Sequence, residues 1–121
     1  MKYGINKATL VGNVGDEPKI NEKNGEIFLA SFPFATSETY KDKNGEEVTK
    51  TQWHRIKVWD KQASVIQKLV KKGDALYVEG RIENNTWDDK EGNKHYSTEI
   101  HCNNFLFLRP GFNGDSKDSE A

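Results

Sequence analysis

The stretch Thr51-Gln52-Trp53-His54-Arg55-Ile56-Lys57-Val58-Trp59-Asp60 restricts the fold of this chain more than any other. Aromatic and β-branched residues alternate there with polar ones, which is the period of a β-strand. Successive side chains of a strand point to opposite faces, so Trp53, Arg55, Lys57 and Trp59 share one face. His54, Ile56 and Val58 share the other. Burying Arg55 and Lys57 without partners costs more than two indoles return, so the tryptophan face is expected to look toward solvent. Exposed indoles interleaved with cations suit a ligand that is both aromatic and anionic, and single-stranded nucleic acid has both properties. The competing reading packs these rings beneath a second sheet or a partner subunit.

A chain of 121 residues is long enough for one domain. Apolar residues make up 34% and charged residues 31%, so the core must be small and self-association is one way to cover further apolar surface. Thirteen aromatic residues and clear periodic segments argue for a packed interior. No apolar run approaches the ~18 residues of a membrane span, and no apolar signal stretch follows Lys2. A soluble, non-exported protein is expected. One cysteine, Cys102, excludes an internal disulfide and fits a reducing compartment. The formal net charge of −1 runs against the basic surplus usual in nucleic-acid binders. Within residues 110–121, Lys117 stands against Asp115, Asp118 and Glu120, which leaves residues 1–109 at +1. Any phosphate-binding surface must therefore be a local patch.

Residues 5–14 read as a first strand, with Gly12 marking a bulge or a close approach of backbones. Asn24-Gly25 signals a hairpin between it and a second strand over 27–36, with Phe28, Ala30, Phe32 and Phe34 on one face. Pro33 lacks an N–H and places that strand locally at an edge or bulge. Residues 38–50 form a polar arm with Asn44-Gly45 at its tip. After the Trp53–Trp59 strand the period changes. Over 61–72, Ala63, Val65, Ile66, Leu69 and Val70 fall at helical spacing, with Gly73 placed as a C-terminal cap. A fourth strand over about 74–84 turns Leu76, Val78, Gly80 and Ile82 inward. A long hairpin over 87–96 leads to a fifth strand carrying Tyr96, Thr98, Ile100 and Cys102 on one face, and Phe105 to Leu108 add a last apolar segment. Residues 1–109 are expected to form the domain and 110–121 a short mobile acidic tail.

Three strands, a helix and two more strands make the order of the OB-fold, a five-stranded, partly open Greek-key barrel, all-β but for one helix between strands three and four. That fold binds ligands on the face of its second and third strands, and strand three carries the tryptophan–cation alternation. At about 3.3 Å per residue, Trp53 and Trp59 stand about 20 Å apart, too far for neighbouring bases. They are two separate stacking stations with Arg55 and Lys57 meeting the backbone between them. Trp87 and Tyr40 are further candidate platforms, for which hairpin packing is an equal reading. Lys7, Lys41, Lys43, Lys61, Lys71 and Lys72 are candidate phosphate contacts. Lys71 and Lys72 equally suit a helix C-terminus, and Lys41 and Lys43 a solvated loop.

Other chemistries find little support. His54, His95, His101 and Cys102 lack ligand spacing for a metal, and Asp88, Asp89 and Glu91 lack that of a calcium loop. Gly12-Asn13-Val14-Gly15 lacks the lysine of a phosphate loop. Ser31, Ser37, Ser64 and Ser97 have no supporting nucleophile signature. Neither an enzyme nor a cofactor is expected.

The segments Asn6-Lys7-Ala8-Thr9-Leu10-Val11-Gly12-Asn13-Val14-Gly15, Ala35-Thr36-Ser37-Glu38, Thr51-Gln52-Trp53-His54-Arg55, Lys72-Gly73, Tyr77-Val78-Glu79-Gly80-Arg81 and Trp87-x-Asp89 resemble, in order and interval, the bacterial single-stranded DNA-binding protein family. The resemblance spans residues 3 to about 108. It implies a homotetramer of OB-folds around which single-stranded DNA wraps without sequence preference, in replication, recombination and repair. It implies a cytoplasmic, nucleoid-associated protein, or one in a host's cytoplasm if phage-encoded. The family's stacking positions fall on Tyr40, Trp53, Trp59 and Trp87, and its subunit contacts on His54 and the first strand. Asn84-Asn85-Thr86 stands where many relatives carry Arg or Lys, so fewer phosphate contacts are expected there. The resemblance also implies partner proteins of replication and repair, which relatives dock through an apolar C-terminal tip that the acidic residues Asp115 to Ala121 do not show.

Two other readings remain open on the residues alone. One is a protein-interaction OB module of the replication-restart type with weak DNA binding. The other is an oligosaccharide-binding OB domain, whose uncharged ligand would not need Arg55 and Lys57 between the rings.

Overall fold

A computed structural model describes residues 3–108. The expected tail over 110–121 lies outside the described residues. The elements run β1 (Ala8–Val14), β2 (Lys19–Lys23), β3 (Glu26–Lys41), β4 (Glu47–Trp59), α1 (Asp60–Leu69), β5 (Ala75–Asp88) and β6 (Lys94–Phe107). β1 and β2 both pair antiparallel with β3, through Val14↔Phe34 and Lys19↔Ser31, so together they occupy one strand position broken at residues 15–18. β1 also pairs with β5, β5 with β6, and β4 with β3, all antiparallel. β6 joins β4 in parallel from Arg55↔Glu99 to Lys57↔His101. The sheet thereby closes into the five-stranded barrel expected, with short seams at β1–β3 and β4–β6.

The interior is filled by the inward alternation of each strand. Val14, Phe32, Phe34, Ile56, Val58, Leu76 and Val78 are fully buried, and the rings of Phe32 and Phe34 meet edge to face at 6.1 Å. Helix α1 contributes Ala63 and Ile66, followed by Val70. The spacing of these three is a narrow one-sided stripe, which suits a helix resting on β3 and the end of β4.

Several expectations need correction. The first strand starts at Ala8, and β2 is an element the sequence did not announce. The Asn24-Gly25 turn joins β2 to β3, with both residues at positive φ (54° and 80°). Phe28 is not inward. Asn21 pairs with Leu29 but Glu22 pairs with Ile27, so Phe28 is the extra residue of a bulge, and the bulge reverses the alternation. Pro33, within β3, does stand at a local edge, as expected. Its carbonyl accepts from Gly15 N–H on the β1 side, and its missing N–H therefore faces the break at residues 15–18, where no ladder partner is left wanting.

The helix stops at Leu69, before the expected 72. Val70 turns extended (φ −95°, ψ 132°) to bury its side chain, and Lys71 and Lys72 fall in the turn that follows. Gly73 (φ 93°) is not a helix cap but the pivot of that turn, donating its N–H to Val14 O at 2.8 Å. Val65 and Leu69 are exposed. Ile82 and Tyr96 are also exposed, because β5 and β6 stay paired out to Asp88↔Lys94, beyond the barrel wall. The long hairpin expected over 87–96 is there, with its turn confined to 89–93. In the same way the polar arm is a continuation of β3 and β4, paired to Lys41↔Glu47.

Candidate nucleic-acid interface

The outward alternation of β4 is as the sequence predicts. Trp53 is 63% exposed and Trp59 40%, while Ile56 and Val58 between them are sealed in the barrel. Arg55 is exposed on the same face. Contacts extend this face across the parallel seam. Lys57 Nζ lies 3.0 Å from Glu99 Oε2, and the Trp59 ring stands 5.8 Å from that of His101. Glu99 and His101 therefore share the tryptophan face, as do residues of the same parity along β6, His95 among them. From β5, Asn85 Nδ2 reaches Glu99 Oε1 at 2.6 Å, and the Trp87 ring stacks on His95 with centroids 5.3 Å apart and planes 18° from parallel. All three tryptophans thus sit on one continuous surface formed by β4, β6 and β5.

Two of the platforms have a support. Trp53 lies over Gly15, and a Cβ added at Gly15 would clash with the Cζ3–Cη2 edge of its indole. Trp87 is backed by His95, whose Nε2 is 2.8 Å from Asp89 Oδ2. Asp89 Oδ1 accepts the N–H groups of Glu91 and Asn93 and so fixes the turn that carries the pair. The bond to His95 is the main reason the Asp89 carboxyl ionises below its ordinary value, with the turn N–H groups adding to it.

The candidate cations divide. Lys57 is held by Glu99 and is not free. The turn with Lys71 and Lys72 is tied to the end of β1, through Gly73 N–H to Val14 O and Asn13 Nδ2 to Gly73 O, and so stands near Gly15 and Trp53. Lys41 ends β3 on the Trp53 side of the arm ladder, and Lys43 lies in the arm turn. Lys7 pairs loosely with Glu79 at 3.6 Å. Lys61 lines a cavity between α1 and the β2–β3 hairpin, with Glu22, Lys23 and Phe28. Tyr40 pairs with Val48 and so belongs to the alternation of His54, not of Trp53. It is exposed on the arm, and the structure does not bring it together with the three tryptophans. His54, half-buried, bonds through Nε2 to Thr36 Oγ1 at 2.9 Å.

Sequence reasoning passed over Glu99, weighed His95 and His101 only as metal ligands, and named Asn85 only for the cation it replaces. The available signal was parity: His95, Glu99 and His101 alternate on β6 as Trp53, Lys57 and Trp59 do on β4. Burial alone would raise the Glu99 carboxyl, but Lys57, His101 and Asn85 together outweigh it and hold it below the ordinary value of 4.5. A carboxyl so depressed contributes stability that is complete above about pH 4.5 and is lost as pH falls through the lower folded value. The thermal midpoint should accordingly hold above that pH and drop below it, and Glu99→Gln should flatten part of the drop. Elsewhere, burial pushes the Cys102 thiol up, as befits a small strand residue rather than a reactive one. Among the described residues no group of three acidic, histidine or cysteine side chains gathers as metal ligands.

Gly15→Ala offers a probe of platform geometry. Gly15 is not at a φ that demands glycine, and Trp53 can swing because it is mostly exposed. The variant should keep its thermal midpoint within a few degrees yet shift the Trp53 emission. A large loss of stability with unchanged emission would mean that Trp53 is packed as core.

The barrel connectivity is that of an OB-fold, and its outward face over β4, β6 and β5 carries three tryptophans and Arg55. A family model described as "Single-strand binding protein family" matches residues 5–108, and the chain belongs to that family. It is 40% identical over 109 residues to "Single-stranded DNA-binding protein 1" of Chlorobaculum tepidum, covering 89% of this chain and 67% of that protein. It is 41% identical over 102 residues to "Single-stranded DNA-binding protein" of Rhizobium meliloti, covering 83% of this chain and 59% of that protein. The chain thus spans only part of the length of both relatives. Among solved structures, the Plasmodium falciparum SSB complex with ssDNA superposes with a TM-score of 0.79 at 34% identity, covering 89% of this chain and 98% of that one. A deletion mutant of the single-stranded DNA binding protein from Thermus aquaticus gives 0.74 at 24% identity, covering 90% and 53%, a likeness of fold.

Proposed function

We propose that this protein binds single-stranded DNA without sequence preference, coating it and keeping it from re-pairing. The observation that carries the reading is the single outward face on which Trp53, Trp59 and Trp87 are all 40–63% exposed, with Arg55 between the first two. Bases stack on any π-face, so such a surface accepts all sequences. Arg55 meets phosphate in the middle of the path. Lys71 and Lys72 meet it beyond Trp53, and Lys41 and Lys43 along the arm, where Tyr40 is a separate station.

The chain acts by binding, with no reaction of its own, in replication, recombination and repair in the cytoplasm. It works as a homotetramer. A row of large side chains crosses three paired strands, with Val11 on β1 and Leu106 on β6 exposed on either side of the half-buried Tyr77 on β5, and supports self-association through that wall. Partner proteins of replication and repair belong to the same reading.

The test is a salt series of oligo-dT affinities, with particle mass measured in parallel. Affinity should fall as salt rises, since each neutralised phosphate releases counterions. Because residues 1–109 are nearly neutral, the slope should be shallower than that of a strongly basic relative. A slope as steep as such a relative's would defeat that claim, and absence of binding at low salt would defeat the whole reading.

A further inference from the structure

Glu99 is 5% exposed and is the buried charged side chain among the described residues, yet it lies on the face proposed for an anionic ligand. Its carboxylate receives a donor from each of three strands. Lys57 of β4 reaches Oε2 at 3.0 Å, while Asn85 of β5 and His101 of β6 reach Oε1 at 2.6 and 3.2 Å. Arg55 and Glu83 are its register partners on either side. Arg55 forms no ion pair among the described residues, so of the two cations between Trp53 and Trp59 one is engaged and one is free. A carboxylate within hydrogen-bond reach of an ammonium occupies the place a phosphate oxygen would take. Here the carboxylate is fixed by Asn85 and His101 before any ligand arrives. A mobile strand would have to order itself and displace it to reach Lys57.

We propose that Glu99 is a built-in counter-anion of the interface: it holds Lys57 in an internal ion pair, removes one phosphate contact from the path between Trp53 and Trp59, and thereby lowers the salt sensitivity of binding. This rests on the reading that the face binds single-stranded DNA. Glu99 touches no ligand in this account. It acts through Lys57, and its substitution should strengthen binding rather than weaken it.

Glu99→Gln keeps an oxygen for Asn85 and removes the charge. For oligo-dT, the slope of log affinity against log salt should steepen by about 0.7, the increment for one more phosphate neutralised on a single strand. Adding Lys57→Gln to that variant should return the slope to the wild-type value. A folded Glu99→Gln with an unchanged or shallower slope would overturn the proposal, since a purely structural role would not steepen it.

A measurement on the wild type stands independently of whether the variant folds. Lys57 should be acetylated at the same slow rate in the free protein and in the protein saturated with oligo-dT, read by mass spectrometry. Protection of Lys57 that appears only with oligo-dT would mean that it meets phosphate directly, and would overturn the proposal. A wild-type protein that fails to bind oligo-dT at all would instead bring down the reading of the face, and this inference with it.

Discussion

Trp53→Ala is expected to weaken binding to long oligo-dT by about 1–3 kcal/mol, roughly 5- to 150-fold, while the thermal midpoint stays nearly where it was. The magnitude is that of one lost base–aromatic stack. The preserved stability follows from position. Trp53 is 63% exposed and rests on Gly15 at the rim of the barrel, whereas its neighbours Ile56 and Val58 fill the interior. Truncation therefore opens no cavity in the core. The same change at Trp59 or Trp87 should act in the same direction, and at Trp87 it should also unseat His95, which it stacks. Affinity by fluorescence anisotropy and stability by calorimetry check both halves. An unfolded Trp53→Ala protein would mean that the indole belongs to the core.

Gly12→Val should act on the fold instead, costing upwards of about 3 kcal/mol and leaving little folded protein. Gly12 sits where β1 passes from its pairing with β5 to its pairing with β3. A Cβ there would overlap the carbonyl oxygen of Ala35, stand 3.0 Å from its carbon, and come within 3.2 Å of the Phe34 ring. Backbone of a paired strand cannot step aside as a side-chain tip can. The β1–β3 seam must open, and it is one of the two short seams that close the barrel. For a domain whose whole stability is about 5–15 kcal/mol, that loss is large. Gly80 meets the same constraint against His101 O on the β5–β6 side. Circular dichroism of purified Gly12→Val, with chemical denaturation if it folds, measures the effect. Wild-type stability would show that the close approach of β1 and β3 is not needed.

What was legible in the sequence was whatever a strict period carries. Trp53 to Trp59 alternate without interruption, so their two faces could be read directly, and the helix after them announces itself by a change of period. The misreadings fall where something nonlocal intervenes. The bulge at Phe28 is set by how β2 lies against β3, and Lys19 to Lys23 hold only Ile20 as an apolar residue. Helix α1 ends early because Val70 finds a buried place in extended backbone. In the site, the tryptophans were legible because their type alone carries the chemistry. The state of Lys57 was not, since its partner Glu99 arrives across a parallel seam from a strand beyond the helix. Tyr40 shows the same limit from the other side. An aromatic residue in the right arm can still stand on the opposite side of the ribbon from the platforms it was expected to join.

The most direct measurement is a titration of intrinsic tryptophan fluorescence with poly-dT, duplex DNA and a neutral glycan at low salt. Strong, saturable quenching by poly-dT alone is the predicted result, because only unpaired bases present both free ring faces and phosphates to the surface built by β4, β6 and β5. Emission unchanged by poly-dT, or quenched equally by the glycan, would contradict it.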